Sequence, residues 1–242
     1  MSQKLAEDVN RLYSLLDDLE RRLGGTRTLH TATGGEAWPS HGLYFFFEPG
    51  ETRADGRPRV VRVGTHALTP SSHTTLWNRL SQHRGTVHGS NPGGGNHRSS
   101  IFRHHVGAAL LRRDKAPEGL VNSWLSKHPQ ATWAAAEAEH EKSVSRHIRA
   151  MPLLWLPVPN KPDGTSERGH LERNCIGLLS STDTTSTNWL GRYAMTAVIA
   201  RSGLWNVKHI DYGYRRDSLD RLDTYLAAVP AIAGACEYPA RE

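Results

Sequence analysis

The feature that most constrains this fold is a pair of apolar runs that lies between His41 and His66. Residues 43–47 (LYFFF) and 60–63 (VVRV) are rich in aromatic and β-branched side chains, and a polar segment containing Pro and Gly separates them. Such runs favour strands, and segments rich in Pro and Gly favour turns. The tract therefore predicts a β-hairpin with a long connection, followed closely by a helix.

Helical patterns flank this hairpin on both sides. Apolar residues recur at spacings of three and four over residues 3–23, which predicts an amphipathic helix that packs on its own domain or joins two copies. Further helices are predicted for LWNRLSQHR, IFRHHVGAALLRR, much of 115–145, LERNCIGLLSS, a short stretch at 192–202 and the segment from Asp217, and MPLLWLPVP predicts another strand. The chain shows no repeat or clear linker, so we expect one α+β domain.

Charge and cysteine usage narrow the class of protein. Thirty Lys and Arg against 24 Asp and Glu give a net charge of +6, which is compatible with a polyanionic partner such as nucleic acid. Cys175 and Cys236 lack CxxC spacing, so neither a thiolate zinc cluster nor a disulfide framework is expected. No apolar run reaches the about 18 residues of a membrane span, and the charged start lacks a signal-peptide core. We therefore expect a cytoplasmic protein without a membrane partner.

One group of side chains suits phosphoryl chemistry. The strand–strand–helix order could bring Tyr44, Arg62, His66, Arg79 and His83 to one surface. Arginine recognises phosphate oxygens with a planar pair of donors, and tyrosine or histidine can carry a proton. The competing interpretation is a structural tyrosine beside solvated arginines.

Two other candidates are weaker on the residues alone. The tract NHRSSIFRHH contains His97, His104 and His105 but no neighbouring ligands that would complete a zinc site, so it predicts an exposed loop that faces DNA or solvent. The Gly-rich segment before it predicts a flexible surface loop at 86–99. Glu172 begins the helix LERNCIGLLSS, where it either caps the helix or holds Mg²⁺ against a phosphate.

Four segments, in this order, resemble the GIY-YIG nuclease family. GLY at 42–44 and RVG at 62–64 stand where the family has its two signatures. LWNRLSQH is similar to the family's arginine-bearing helix, and LLWLPVP with LERNCIGLL is similar to its third strand and glutamate-bearing helix. The resemblance implies a small mixed or antiparallel three-stranded sheet flanked by helices. It places the core at 40–192, a helical extension at 1–39, and a second helical extension at 193–242 that packs on the core.

The resemblance also implies roles for five residues. Tyr44 matches the tyrosine that positions or deprotonates the attacking water, and His83 matches a histidine that assists it in some restriction enzymes. Arg79 matches the arginine that stabilises the scissile phosphate. Glu172 matches the single ligand of Mg²⁺ or Mn²⁺, and Asn188 matches a late asparagine.

The sequence departs from the family pattern at the second signature. Arg62 replaces the tyrosine expected there, so Arg62 binds phosphate, or His66 or His83 compensates for the missing phenol. The connection between the signatures also looks longer than is typical. We predict contacts to phosphate or DNA from Arg62, His66, Arg98 and Arg103.

These observations predict a metal-dependent DNA endonuclease, by analogy one that acts in restriction or phage defence. Its partners would be DNA and either a second copy of the chain or a partner defence protein. The alternatives are a nucleic-acid-binding module of the same fold that does not cut, and a metabolic enzyme that acts on a phosphorylated small molecule. Only proteins of the first two kinds should bind DNA with steep salt dependence.

Overall fold

The secondary structure alternates helices with four strands. A computed structural model describes residues 2–88, 91–128, 130–160, 165–180 and 185–231, so Cys236 lies outside the described part. The elements are α1 Gln3–Leu23, β1 Arg27–Thr28, β2 Gly42–Thr52, β3 Pro58–Gly64, α2 Leu76–Arg84, α3 Ile101–Arg113, α4 Glu118–Leu125, α5 Ala134–Arg149, β4 Pro152–Pro157, α6 Glu167–Leu179, α7 Ala197–Ser202 and α8 Asp217–Ala227. None of the helices in these ranges is long and apolar enough to cross a membrane.

The strands form one antiparallel sheet in the order β1-β4-β2-β3. This confirms the predicted α+β class and adds one strand to the three expected. The additional strand, β1, has only two residues, and Arg27 pairs with Leu153 at the edge of the sheet. A two-residue strand carries no periodicity, so no sequence pattern predicts it.

β2 and β3 form the predicted hairpin, but the prediction of a long connection was wrong. β2 continues to Thr52 and β3 begins at Pro58, so only residues 53–57 connect them. The end of β2 was predicted to be part of the connection because Pro49 and Gly50 lie there, between Glu48 and Glu51. Both carboxylates are buried and paired: Glu48 accepts from two indole N–H groups, and Glu51 forms an ion pair with Arg59 at 2.7 Å.

The sheet separates two hydrophobic layers. α1, α6 and α8 cover one face, where Leu43 and Phe45 point, and α2, α3 and α5 cover the other face, where Tyr44 and Phe46 point. α1 packs in the first layer through buried residues that include Leu12 and Leu16, so this helix packs on its own sheet. The boundaries of the core and its extensions stay a prediction.

Candidate active site

Tyr44 and His83 lie on the α2 side of the sheet and share a hydrogen bond. Alternation along β2 directs Tyr44 toward α2, and the Tyr44 Oη–His83 Nε2 distance is 2.9 Å. Thr75 caps the start of α2, and His83 lies in its last turn, one turn beyond Arg79. Both members of the pair are fully buried. The structure therefore brings together the predicted proton-handling residues.

The glycine of the second signature makes room for the tyrosine of the first. Gly64 lies opposite Tyr44 in the register of β2 and β3. A Cβ at Gly64 would lie 2.3 Å from both the Cζ and the Oη of Tyr44. The ring of Tyr44 thus crosses the backbone of β3, and a side chain at position 64 would push it away from His83.

Ser100 holds the other side of the His83 ring. The Nδ1 of His83 lies 2.9 Å from the Oγ of Ser100, which also caps α3 by accepting the backbone N–H of Arg103 at 3.4 Å. Sequence reasoning missed Ser100 as a site residue; a serine before an apolar run is the usual signal of a helix cap and of nothing more. Tyr44, His83 and Ser100 therefore form a hydrogen-bonded chain of three groups.

His83 is neutral at pH 7. Burial lowers the pKa of His83 well below its usual value, and the positive charges of Arg79, Arg62 and Arg103 lower it further. In a neutral imidazole one ring nitrogen donates and the other accepts. His83 can therefore relay a proton between its neighbours but does not itself supply a cation to the site.

Arg62, which replaces the second signature tyrosine, is buried on the same face of the sheet. It lies opposite Phe46 in the register of the hairpin, and its guanidinium lies 4.6 Å from the ring centre of Phe102. Its NH1 donates to the carbonyl oxygen of Trp205 at 3.1 Å, and its Nε has no hydrogen-bond partner. Arg62 therefore places a positive charge under the site rather than on the surface.

Glu172 lies in the middle of α6 and not at its start, so the interpretation of Glu172 as a helix cap was wrong. Its carboxylate is acted on by two of the arginines that act on His83. Burial raises the pKa of Glu172, while Arg62, the backbone of Thr65, Arg79 and Lys208 oppose the rise. Arg62 and Arg79 act on both Glu172 and His83. The Tyr44–His83 pair and the carboxylate of Glu172 are thus linked by the positive charges of the same two arginines. Lys208, which sequence reasoning missed, joins it from an exposed position beyond α7.

Glu172 is a single carboxylate that a divalent ion could use as a protein ligand. None of the described Lys, Arg or His side chains forms an ion pair with Glu172 within 4.0 Å, and the described residues contain no cluster of three or more metal-ligating side chains. Mg²⁺ often binds through one or two carboxylates, with water and substrate phosphate as the remaining ligands. A carboxylate whose pKa is raised by burial gains a favourable partner when such an ion binds.

Arg79 lies at the surface between two clefts. One cleft, of about 390 Å³, is lined by residues that include His66 and Gln82, and the other, of about 670 Å³, lies beside the start of α3. The NH1 of Arg79 donates to Gln82 Oε1 at 2.9 Å on the exposed side of α2. A phosphate in either cleft would find this guanidinium within reach.

His66 borders the smaller cleft as a neutral side chain. Its Nε2 donates to the carbonyl oxygen of Ser40 at 3.1 Å, and its ring stacks on His41. Burial lowers the pKa of His66 to about 4, with further lowering by nearby charges that include Arg168 and Arg79. Any contact of His66 with phosphate at pH 7 would therefore be a contact of an uncharged ring.

Arg103 does not lie where DNA could reach it. It is fully buried, forms an ion pair with Glu141, and donates from NH1 to the carbonyl oxygen of His83 at 2.9 Å. The predicted DNA contact is replaced by a structural one, because Arg103 fixes the last turn of α2 that carries His83. Gly95 permits this arrangement, since a Cβ there would lie 2.2 Å from the Arg103 guanidinium.

Arg98 borders the larger cleft but is already bonded to the protein. Its guanidinium forms an ion pair with Glu137 at 2.8 Å and donates to the backbone oxygens of Ser123 and Ser126. The interpretation of the histidine tract as exposed was wrong for His97 and His105, which are both buried; His97 bonds Glu141 at 2.9 Å through Nδ1. Residues 89 and 90 of the predicted 86–99 loop lie outside the described ranges.

Asn188 is exposed and lies away from Tyr44. Its neighbours Ser186 and Trp189 bond Glu51 and Glu48, at the opposite end of β2 from Tyr44. With about 3.3 Å per strand residue, that end lies more than 10 Å away. The structure does not bring Asn188 to the other predicted residues.

Comparison with known families is consistent with this geometry. A family model described as "GIY-YIG domain" matches residues 3–231, which is nearly the whole chain. No curated protein and no solved structure matches the chain.

Proposed function

This chain belongs to the GIY-YIG family, whose domain points to a nuclease that acts on DNA, and we propose that it is a metal-dependent endonuclease that hydrolyses phosphodiester bonds. The observation that carries the proposal is the buried hydrogen bond between Tyr44 and His83, with the positive charge of Arg79 acting on His83. Arg79 also acts on Glu172, so the proposal has a proton acceptor, a surface cation and a carboxylate, which are the groups that phosphodiester hydrolysis needs.

Each residue has a distinct role in this proposal. Tyr44 and His83 handle the proton of the attacking water, because they form a buried hydrogen-bonded pair of groups that can accept and donate protons. Arg79 neutralises the charge that develops on the scissile phosphate, because its side chain lines both clefts. Arg62 stays beneath the site and favours negative charge on the groups above it.

Glu172 would hold Mg²⁺ or Mn²⁺, with phosphate and water oxygens as the other ligands. When bound, the ion supplies Lewis-acid stabilisation of the phosphate and the leaving oxygen. Glu172 itself would orient the ion.

Plasmid cleavage tests the proposal directly. We expect purified protein to nick or linearise supercoiled plasmid with Mg²⁺ or Mn²⁺ and to be inert with chelator. Glu172→Gln and Tyr44→Phe should each remove cleavage, while Glu139→Gln, at an exposed position on α5, should cleave like the wild type. Cleavage that persists in chelator or in Glu172→Gln would refute the metal assignment.

The second candidate is a module that binds nucleic acid without cutting it. The complete burial of Tyr44 and His83 favours it, as does the replacement of the second signature tyrosine by Arg62. This candidate predicts DNA binding that weakens steeply with salt and no cleavage with any metal. A small-molecule enzyme would show no such salt-dependent DNA binding.

The biological setting is a further proposal, which rests on the resemblance alone. We propose that the protein acts on DNA in the cytoplasm in restriction or phage defence, as a homodimer or with a partner defence protein. Cells that express the wild type should then lower the plating efficiency of phage, and cells that express Glu172→Gln should not. Light scattering on the purified protein measures its oligomeric state.

A further inference from the structure

The chain of Tyr44, His83 and Ser100 contains one more proton than it can use in hydrogen bonds. Its two contacts, Tyr44 Oη–His83 Nε2 and His83 Nδ1–Ser100 Oγ, are both 2.9 Å long. The two hydroxyl groups and the neutral imidazole carry three protons. Two hydrogen bonds use two of them, so one hydroxyl proton has no acceptor within the chain.

Ser100 has only one acceptor within reach. Its Oγ contacts His83 Nδ1 and the backbone N–H of Arg103, and no other atom of the described residues bonds it. The N–H of Arg103 is a donor and cannot accept the serine proton. Ser100 is buried, and a buried hydroxyl without an acceptor is unfavourable. The remaining acceptor is the lone pair of Nδ1.

We infer that Ser100 is a positioning residue that donates to Nδ1 of His83 and so fixes its tautomer, with the proton on Nε2. The inference rests on the proposed function. In this tautomer Nε2–H points at the oxygen of Tyr44 and donates to it. The surplus proton is then the hydroxyl proton of Tyr44. Tyr44 is as buried as Ser100, but it forms the end of the chain at which the proposed function places the attacking water, so Tyr44 can pass this proton to solvent there and become the proton acceptor.

This tautomer assigns the two proton-handling residues different tasks. Tyr44 oxygen accepts the water proton as the water oxygen bonds to phosphorus, and the bond from phosphorus to the leaving sugar oxygen breaks. The leaving oxygen takes a proton from solvent, and Tyr44 returns its proton to solvent before the next turnover. His83 stabilises the tyrosine oxygen by donating to it, with the positive charge of Arg62 nearby. The opposite tautomer would make His83 the acceptor and leave the Ser100 hydroxyl unpaired.

Substitution with aspartate separates the two tautomers. Ser100→Asp keeps a good helix cap for α3 but presents only acceptors to His83, so it should move the proton to Nδ1. Ser100→Thr keeps both the cap and the hydroxyl donor. Ser14→Asp is the control for the added charge, because Ser14 is exposed on α1 and lines neither of the two clefts beside Arg79.

Two measurements on the full chain complete the test. Nitrogen NMR of the histidine-labelled protein should show protonated Nε2 for His83 in the wild type and Ser100→Thr, and protonated Nδ1 in Ser100→Asp. Plasmid cleavage should fall on the order of 10²-fold in Ser100→Asp, through kcat rather than KM, and stay near wild type in the other two variants. A wild type with the proton on Nδ1, or Ser100→Asp that cleaves normally, would overturn the inference. If the wild type never cleaves, the proposed function fails while the NMR result still decides the tautomer.

Discussion

Adding a single methyl group at Gly64 should disable the site, although the substitution removes none of the predicted catalytic side chains. The Cβ of alanine at this position would lie 2.3 Å from Cζ and Oη of Tyr44, where ordinary contacts begin at 3.4 Å. The tyrosine ring must therefore withdraw by about 1 Å. Its hydrogen bond to His83, which is 2.9 Å long, would not survive that displacement.

The size of both effects follows from this geometry. Overpacking a buried site costs about 1–3 kcal/mol, and a lost hydrogen bond costs about 1 kcal/mol. For a chain of this length each kcal/mol lowers Tm by about 2–4 °C, so we expect a fall of roughly 5–10 °C. A displacement of about 1 Å at reacting groups lowers the rate about 10²-fold, and we expect that loss of cleavage.

Gly213→Ala is the matched control for Gly64→Ala. Position 213 is exposed, and a Cβ there would meet no atom within 4 Å. Thermal unfolding by circular dichroism and time courses of plasmid cleavage would be recorded for the wild type and both variants. Wild-type cleavage by Gly64→Ala would refute the reasoning, because Tyr44 would then work without the contact that the structure shows. Equal losses in Gly213→Ala would show that the effect is not local.

Three further predictions follow from the buried charges and the surface cation. Arg103→Gln should lower the free energy of unfolding by about 3–5 kcal/mol in denaturant titrations, since it leaves Glu141 buried without its ion pair, while the salt dependence of DNA binding stays unchanged. Arg79→Ala should lower plasmid cleavage by about 10²–10³-fold and change stability by no more than about 0.5 kcal/mol. Glu172→Gln should unfold at a higher temperature than the wild type at pH 7 without metal. A carboxyl whose pKa is raised by folding loses stability as pH rises through that pKa, and the amide removes this loss. The metal-induced rise in Tm should disappear in the same variant, and an unchanged rise would exclude Glu172 as the ligand.

Much of the fold could be predicted from the sequence because its signals are local. Aromatic and β-branched runs predicted β2, β3 and β4, and the spacing of leucines predicted α1. The order of motifs placed Tyr44, Arg79, His83 and Glu172 on the elements that the structure gives them. Spacing by one helical turn was enough to predict that Arg79 and His83 share a side of α2.

Local sequence patterns predicted the wrong environment for charged residues whose bonding partners are far away in the chain. Glu48 and Glu51 were predicted to lie in a loop. Nothing near them in the sequence indicates that two indoles and an arginine from elsewhere in the fold bond their carboxylates. Arg98 and Arg103 read as DNA contacts for the same reason, since their carboxylate partners are about 40 positions away. Charge in a sequence predicts exposure only when no buried partner exists.

The sequence by itself determined the family, the order of the elements and the chemical types available at the site. The tertiary structure alone decided that Gly64 makes room for Tyr44, that Arg62 lies beneath the site, and that Ser100 holds His83. These outcomes depend on distances between segments far apart in the chain. Such distances are set by the packing of α2 and α3 on the sheet, which no local pattern encodes.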